Sequence, residues 1–456
     1  MESTSLNRLG TEPTNKLVWE YSIPAILGTL VVAFYNLIDS VYIGHGPNLG
    51  DHAIGGLGIV LPVMTLIAAV GMLVGAGASS RISIHLGMDD KSTAEKILGT
   101  AFLLTILLTG ILIFFIYIFL KPILIAIGAT EETLSFAYEF LLYYLPCNIF
   151  LNLSFTLCGI MRASGYPKKA MYTMLLGVVA NILLAPVFIF ILKWGMKGAA
   201  IATFLSTIIS IIPVMYHFLD KKSALRLQPD KISLNSKIMW AIFSIGLSPF
   251  IMQLAASVVV FFINNRLRVY GGSVAIEAYT IANRLTLVII MILGGLTQGL
   301  QPIVGYNYGA KKIQRVISAV NYAIKVGICI GGTGLIAGIF FADKIVGIFN
   351  PTSALAGEAV RALHIVTLML PLSGLQMVIS SFFQSIGMPV KSTLLSLTRQ
   401  FIFLIPGLFI LSYYFKLNGI WASIPMADFT SSILALILYL WQKKQLNKIY
   451  MNEIQE

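Results

Sequence analysis

Charged residues are scarce. Asp, Glu, Lys and Arg make up 11% of the 456 residues, where a soluble globular chain carries roughly 25%. So few charges cannot cover a water-facing surface of this size, which excludes an ordinary soluble domain. Cysteine is nearly absent. Cys147, Cys158 and Cys329 all lie in apolar runs with no metal-ligand spacing. Cys147 and Cys158 are on one expected helix, roughly 16 Å apart at helical rise, too far for a disulfide. The five histidines are scattered. There is no H-E-x-x-H, nucleotide-binding loop or haem-spaced pair, so no membrane-enzyme signature is present. Residues 1–16 lack the apolar core of a cleavable leader, and the first apolar helix is expected to direct insertion.

What is abundant is apolar: 57% hydrophobic residues in long runs. Runs of membrane-crossing length lie at roughly 17–43, 53–78, 97–120, 132–160, 168–192, 196–219, 238–264, 274–303, 319–341, 357–386, 391–415 and 418–442. Strict alternation is absent, and only helices or closed barrels satisfy the backbone in lipid, so helices are expected. The fold class expected is all-α and integral to the membrane, with twelve transmembrane helices in two six-helix lobes.

The net charge of +12 points to membrane orientation rather than nucleic acid, because the cations fall in short loops. The N-terminus, the even loops and the C-terminus hold 20 Lys and Arg, including Arg81, Arg162 and Lys231; the odd loops hold 8. Both termini are therefore expected in the cytoplasm. The chain also repeats. Gly165-Tyr-Pro167 parallels Gly387-Met-Pro389, Gly198-Ala-Ala parallels Gly419-Ile-Trp, and Ser22-Ile-Pro24 parallels Leu247-Ser-Pro249. Six helices per half leave the two lobes in the same orientation, about a pseudo-twofold axis along the membrane normal. The expected domains are an N-terminal lobe at 1–219, a basic linker at 220–237, a C-terminal lobe at 238–442 and a tail at 443–456.

A carboxylate at bilayer depth is costly and is a functional candidate. Asp39 lies roughly 24 Å along its helix from Ile23, and Thr203 falls at a similar level, with Asn181 about one and a half turns lower. An acid, an amide and a hydroxyl so placed suit a proton or an oxygen-liganded cation; the bland alternative is a hydrogen-bond cluster tying three helices together. The repeat puts Asn264 opposite Asp39, so this chemistry is expected in the first half only. In the second half, helical rise puts Arg399 and Asp428 at similar depth, where a structural ion pair is expected. Arg284 has no obvious partner. Tyr35, Asn36, Asn152, Gln253 and Gln376 are candidates for a substrate path, although such uncharged polar residues often serve as helix–helix glue. The small residues Gly71, Gly75 and Gly77, and Gly294, Gly295 and Gly299, suggest close helix packing. Pro24 permits a kink.

The order and spacing of several segments resemble the multidrug and toxic compound extrusion (MATE) family over nearly the whole chain. They are Ile23-Pro24, Asn36-Leu-Ile-Asp39, Gly75-Ala-Gly-Ala-Ser79, Gly299-Leu-Gln-Pro302, Tyr306-Asn-Tyr-Gly309 and Gln384-Ser-Ile-Gly387. The resemblance implies two six-helix lobes and antiport of organic cations against Na⁺ or H⁺, with no enzyme activity and no resident cofactor. It also implies a coupling site at Asp39, Asn181 and Thr203, where family members carry a further aspartate at the position of Ala185. One missing carboxylate favours H⁺ over Na⁺. The expectation is an exporter of small, cationic or amphipathic compounds, acting as a monomer in a bacterial inner membrane without nucleic-acid partners. A flippase of a lipid-linked sugar is the alternative; its phosphates would call for a cationic cavity, for which Arg284 and Arg399 are the candidates.

Overall fold

The computed structural model describes residues 3–47, 50–349 and 352–455. Among them there is no strand. Eight helices are long and apolar enough to cross a membrane, and two bent pairs bring the number to ten. Two of the ten are of double length. One, Ser236–Gly309, is broken at Gly272 (φ 66°), and the other, within Pro389–Lys448, is broken at Lys416 (φ 51°). Counting each as two gives the twelve expected spans.

Span 1 is Thr14–Gly44, span 2 Gly50–Gly87 and span 3 Lys91–Ile118. Span 4 is the bent pair Glu131–Tyr144 and Cys147–Ala163, broken next to Pro146. Span 5, Pro167–Pro186, runs on through a π-helical turn, Val187–Ile191, and span 6 is Gly195–Leu219. Spans 7 and 8 are 236–271 and 273–309, and span 9 is Ile313–Phe340. Span 10 is the bent pair Ser353–Val366 and Leu370–Ser385. Span 11 opens with Pro389–Leu397 and contains a π-helical segment, Thr398–Leu404; span 12 follows Lys416.

The repeated Gly-x-Pro motif is a helix stop followed by a helix start. Gly165 (φ 97°) and Gly387 (φ 74°) take the left-handed conformation that ends spans 4 and 10. The amides of Tyr166 and Met388 then donate back to the carbonyls of Met161 (3.0 Å) and Phe383 (2.9 Å), as a Schellman ending requires. Pro167 and Pro389 stand first in the next helices, where their missing N–H costs nothing. Between spans 2 and 3, Asp90 caps the amide of Thr93 at 3.0 Å and meets His85 at 3.2 Å. The Thr93 hydrogen bonds, with a smaller contribution from His85, hold its carboxyl below the usual range.

The chain divides into two compact units. Unit 1 comprises 1–8 and 27–250; unit 2 comprises 9–26 and 251–456. In unit 1 the first turns of span 7 pack backbone-to-backbone on span 2. A Cβ at Gly77 would stand 2.1 Å from the Ile242 carbonyl oxygen, and one at Gly246 would stand 1.7 Å from that of Leu73. Gly71, Gly75 and Gly77 of span 2 thus serve close packing, against Asn152, Phe155 and Ile242. Gly246→Ala is expected to lower stability by about 1–3 kcal/mol or more, because backbone cannot yield as a side chain can. Thermal unfolding in detergent checks this, with Gly110→Ala, which meets nothing within 4 Å, as the neutral control.

The linker is strapped down within unit 1. Glu95, buried at the start of span 3, accepts from Lys231 Nζ (2.6 Å) and from the Arg226 amide (3.3 Å), while Thr100 donates to the Ser233 carbonyl (2.9 Å).

In unit 2 the first part of span 1 lies on spans 8 and 9. Ser22 Oγ donates to the Leu296 carbonyl (3.3 Å) and Trp19 Nε1 to the Tyr322 hydroxyl (2.9 Å). Gly295 and Gly299 leave room for the backbone of Ile26 and Ser22, whereas Gly294, expected to pack closely with them, meets nothing within 4 Å. Helix continues through Pro24.

Candidate functional site

The expected cluster lies in unit 1. Asn181 and Thr203 are 2% and 3% exposed, and Asn181 Nδ2 donates to Thr203 Oγ1 at 3.2 Å. The Thr203 hydroxyl gives its one proton to the Ala199 carbonyl (3.1 Å). The Tyr35 hydroxyl, 3.3 Å from Thr203 Oγ1, must therefore act as donor. Tyr35 and Asp39 are four residues apart on span 1 and share a face. Asp39 Oδ1 is buried with no hydrogen-bond partner among the described residues. So Asn181 and Thr203 touch directly and Tyr35 joins them, whereas no direct hydrogen bond connects Asp39 to either.

Ala185 is fully buried among Ile43, Ile189 and Met196. Asn264 Oδ1 is, like Asp39 Oδ1, buried without a partner among the described residues.

A cavity of about 200 Å³ opens beside this cluster. Tyr35, Asn181 and Thr203 line one end. Thr203, Ser206, Thr207 and Ser210, spaced along one face of span 6, form a hydroxyl wall, opposed by apolar side chains such as Leu151, Phe155 and Met174. At the far end is Arg162, in the last turn of span 4 and only 7% exposed. The orientation count takes Arg162 as a loop cation; the structure corrects this, because span 4 continues as helix to Ala163 and folds the guanidinium inward. The 203–206–207–210 spacing is legible in the sequence as one polar helical face, but only with hydroxyls weighed together rather than singly.

The remaining candidates lie elsewhere. Asn152 donates to the Ile67 carbonyl (2.9 Å) and Thr109 Oγ1 (3.0 Å), and fills the space over Gly71. It ties spans 2, 3 and 4 and does not line this cavity. The side chain of Asn36 lies outside the described residues. In unit 2, Gln376 donates to the Leu395 carbonyl (3.2 Å), and Gln253 is half-buried. Arg399 Nε meets Asp428 Oδ1 at 2.7 Å, and Ser373 donates to Asp428 Oδ2, also at 2.7 Å. Arg284 is exposed. No group of three His, Cys, Asp or Glu that could hold a metal ion occurs among the described residues.

The family profile described as MatE matches residues 24–187 and 249–420, one block in each half. The chain belongs to the MATE family. This places it among membrane transporters rather than enzymes. It is 29% identical over 443 residues to the multidrug export protein MepA of Staphylococcus aureus (strain N315), covering 96% of this chain and 97% of that protein. MepA of Staphylococcus saprophyticus is 28% identical over 428 residues, 93% of each chain. A solved MATE structure in the bent conformation superimposes with a TM-score of 0.92 at 26% identity, over 98% of both chains. The MATE layout of two six-helix halves accords with the twelve spans, and both matched blocks open on a repeat-related proline, Pro24 and Pro249.

Proposed function

We propose that this MATE transporter exports small organic, cationic or amphipathic compounds by antiport, with a proton on Asp39 as the coupling ion. The observation that carries the reading is the buried Asp39 oxygen without a partner among the described residues, one turn from a tyrosine that shares Thr203 with Asn181. A carboxylate left open in a low-dielectric site is suited to exchange a proton. The named multidrug export relatives support the substrate class. Ala185 supports H⁺ over Na⁺, because methyl packing among isoleucines supplies no oxygen ligand.

Export then follows alternating access. Asp39 loads from outside and releases inside, and a cationic compound is held in the state where Asp39 is charged. The protein works as a monomer in the bacterial inner membrane with both termini in the cytoplasm, an orientation supported by its loop cations.

Reconstituted protein should drive ethidium efflux under a H⁺ gradient and not under a Na⁺ gradient alone. Ala185→Asp should shift the dependence toward Na⁺. Ethidium flux that ignores both gradients would overturn antiport, and efflux driven by Na⁺ alone in the unmodified protein would overturn the proton.

A further inference from the structure

A cleft of about 510 Å³ opens in unit 2 where spans 1 and 9 begin, lined by Thr14, Asn15, Gln314, Arg315, Ser318 and Tyr322. No carboxylate lines it. Arg315 gives four of the five N–H groups of a guanidinium to neutral oxygens. Its Nε donates to Asn307 Oδ1 (3.0 Å), its Nη1 to the Thr11 carbonyl (3.4 Å), and its Nη2 to the carbonyls of Leu9 (3.2 Å) and Glu12. One Nη1 proton is left over, and the charge meets no anion among the described residues. Lys312 likewise gives its Nζ to the Gly10 carbonyl (2.9 Å), and the Glu12 carboxylate is met by Lys16 at 3.1 Å.

The other lining groups also have protons to spare. Thr14 Oγ1 and Ser318 Oγ are 3.0 Å apart; one donates to the other, so the second hydroxyl proton is unused. The Tyr322 hydroxyl accepts from Trp19 Nε1 at 2.9 Å and keeps its own proton. Asn15 Oδ1 accepts from the Lys16 amide, which leaves the Asn15 NH₂ group, and Gln314 spends one proton of its own on Asn447. Donors with no facing acid suit an oxyanion, and phosphate has the oxygens to take several at once.

Beyond these donors the surface turns apolar. Asn15, Trp19 and Ile23 are spaced four apart on one face of span 1, and Trp19 and Ile23 are 40% and 48% exposed. Trp19 and Tyr322 are the residue types that a membrane interface favours. Polar donors, an aromatic pair and an exposed apolar side chain thus follow one another along the helix, in the order of headgroup, interface and acyl chain.

We infer that this cleft seats one anionic glycerophospholipid, its phosphate among Arg315, Thr14, Ser318 and Asn15 and an acyl chain along Trp19 and Ile23. A headgroup that carries an ammonium finds no lining acid to answer it, so phosphatidylglycerol is preferred to phosphatidylcholine. On the orientation proposed above, the lipid belongs to the cytoplasmic leaflet. The binding itself rests neither on that orientation nor on antiport.

The test is native mass spectrometry of the full-length protein, purified in detergent and mixed with equal amounts of dioleoyl phosphatidylglycerol and dioleoyl phosphatidylcholine. One phosphatidylglycerol should be retained about tenfold over phosphatidylcholine, the size of effect a charge-assisted hydrogen bond gives. Arg315→Gln should weaken that preference. Ser318→Asp puts a carboxylate into the cleft from an exposed position and should remove it. This variant keeps the clasp of Arg315 on residues 9–12 and decides the matter if Arg315→Gln does not fold. Lys221→Gln, in the exposed part of the linker, changes the net charge by the same amount and should leave the preference intact. Equal retention of the two lipids, or a preference that survives Ser318→Asp, would overturn the inference. So would a loss produced equally by Lys221→Gln, which would mean general attraction to a basic surface. Displacement of the lipid by millimolar inorganic phosphate would overturn the lipid as occupant in favour of a free phosphate.

Discussion

Asp39→Asn is expected to reduce ion-driven ethidium efflux from proteoliposomes to the level of empty vesicles, while the variant inserts, folds and is produced at normal level. Asparagine keeps the shape of the side chain and an oxygen in the place of Oδ1, so the packing of span 1, through Tyr35, against Thr203 and Asn181 should persist. What it removes is the change of charge. A ligand shifts a conformational equilibrium only by its differential affinity for the two states. With position 39 fixed at zero charge, cargo affinity no longer depends on proton occupancy, so the free energy linking the two fluxes vanishes. Binding of a cationic compound should weaken and become insensitive to pH, which equilibrium titration at two pH values would register. If the variant still pumps ethidium uphill with unchanged pH dependence, Asp39 is structural and Asp428 is the next residue to test.

Arg399→Ala should cost about 3–5 kcal/mol, the usual penalty for stranding one member of a buried ion pair. The pair is close at 2.7 Å, Asp428 is 2% exposed, and Ser373 completes the second carboxylate oxygen. Arg399→Ala would leave an anion in a low-dielectric interior with only a hydroxyl to answer it. Asp428→Ala should be similarly damaging. The double variant should recover much of the loss, because two absent charges carry no desolvation penalty. Thermal unfolding of the four proteins gives the interaction energy directly. A double variant less stable than either single one would mean that the two side chains support the lobe independently. Arg399 also sits in the π-helical segment Thr398–Leu404, so recovery short of complete is the expected result.

Hydropathy made all twelve spans legible, because lipid forces long apolar runs and helix satisfies the backbone within each run. It failed where helix outlasts apolarity. Span 2 was expected to end near residue 78 and continues to Gly87 through Ser79, Ser80 and Ser83. Spans 7 and 8 were expected to be separated by a loop at 265–273, but only Gly272 breaks the helix. Arg266, expected in that loop, lies in span 7 with its guanidinium over the Phe409 ring at 4.1 Å.

Within the site, the meeting of Asn181 and Thr203 could be anticipated from helical rise on neighbouring helices. Three features could not. The direction in which Arg162 turns depends on where span 4 stops, and a basic residue beside Ser164 and Gly165 reads equally well as a loop. The capture of Asn152 by Ile67 and Thr109 depends on rotation of span 4 about its axis, which periodicity leaves open in a helix apolar on most sides. The strap formed by Glu95 and Lys231 joins residues far apart in sequence, with no local pattern announcing it.

The membership of the first turns of spans 1 and 7 bears on ancestry. Residues 236–250 complete unit 1 by covering Leu73 and Gly77, and residues 9–26 complete unit 2 by covering Gly295 and Gly299. A gene cut at the linker would therefore yield two products, each lacking a piece of its own core and leaving glycine-bearing backbone bare to lipid. Co-expression of the two fragments, not either alone, is the condition under which the halves could mature. By the same logic, a six-helix forebear packed in this way could not have been self-sufficient as a single copy. It would have had to borrow the first turns of its opening helix from a sister chain, and gene fusion would then have made permanent an obligate exchange already in place.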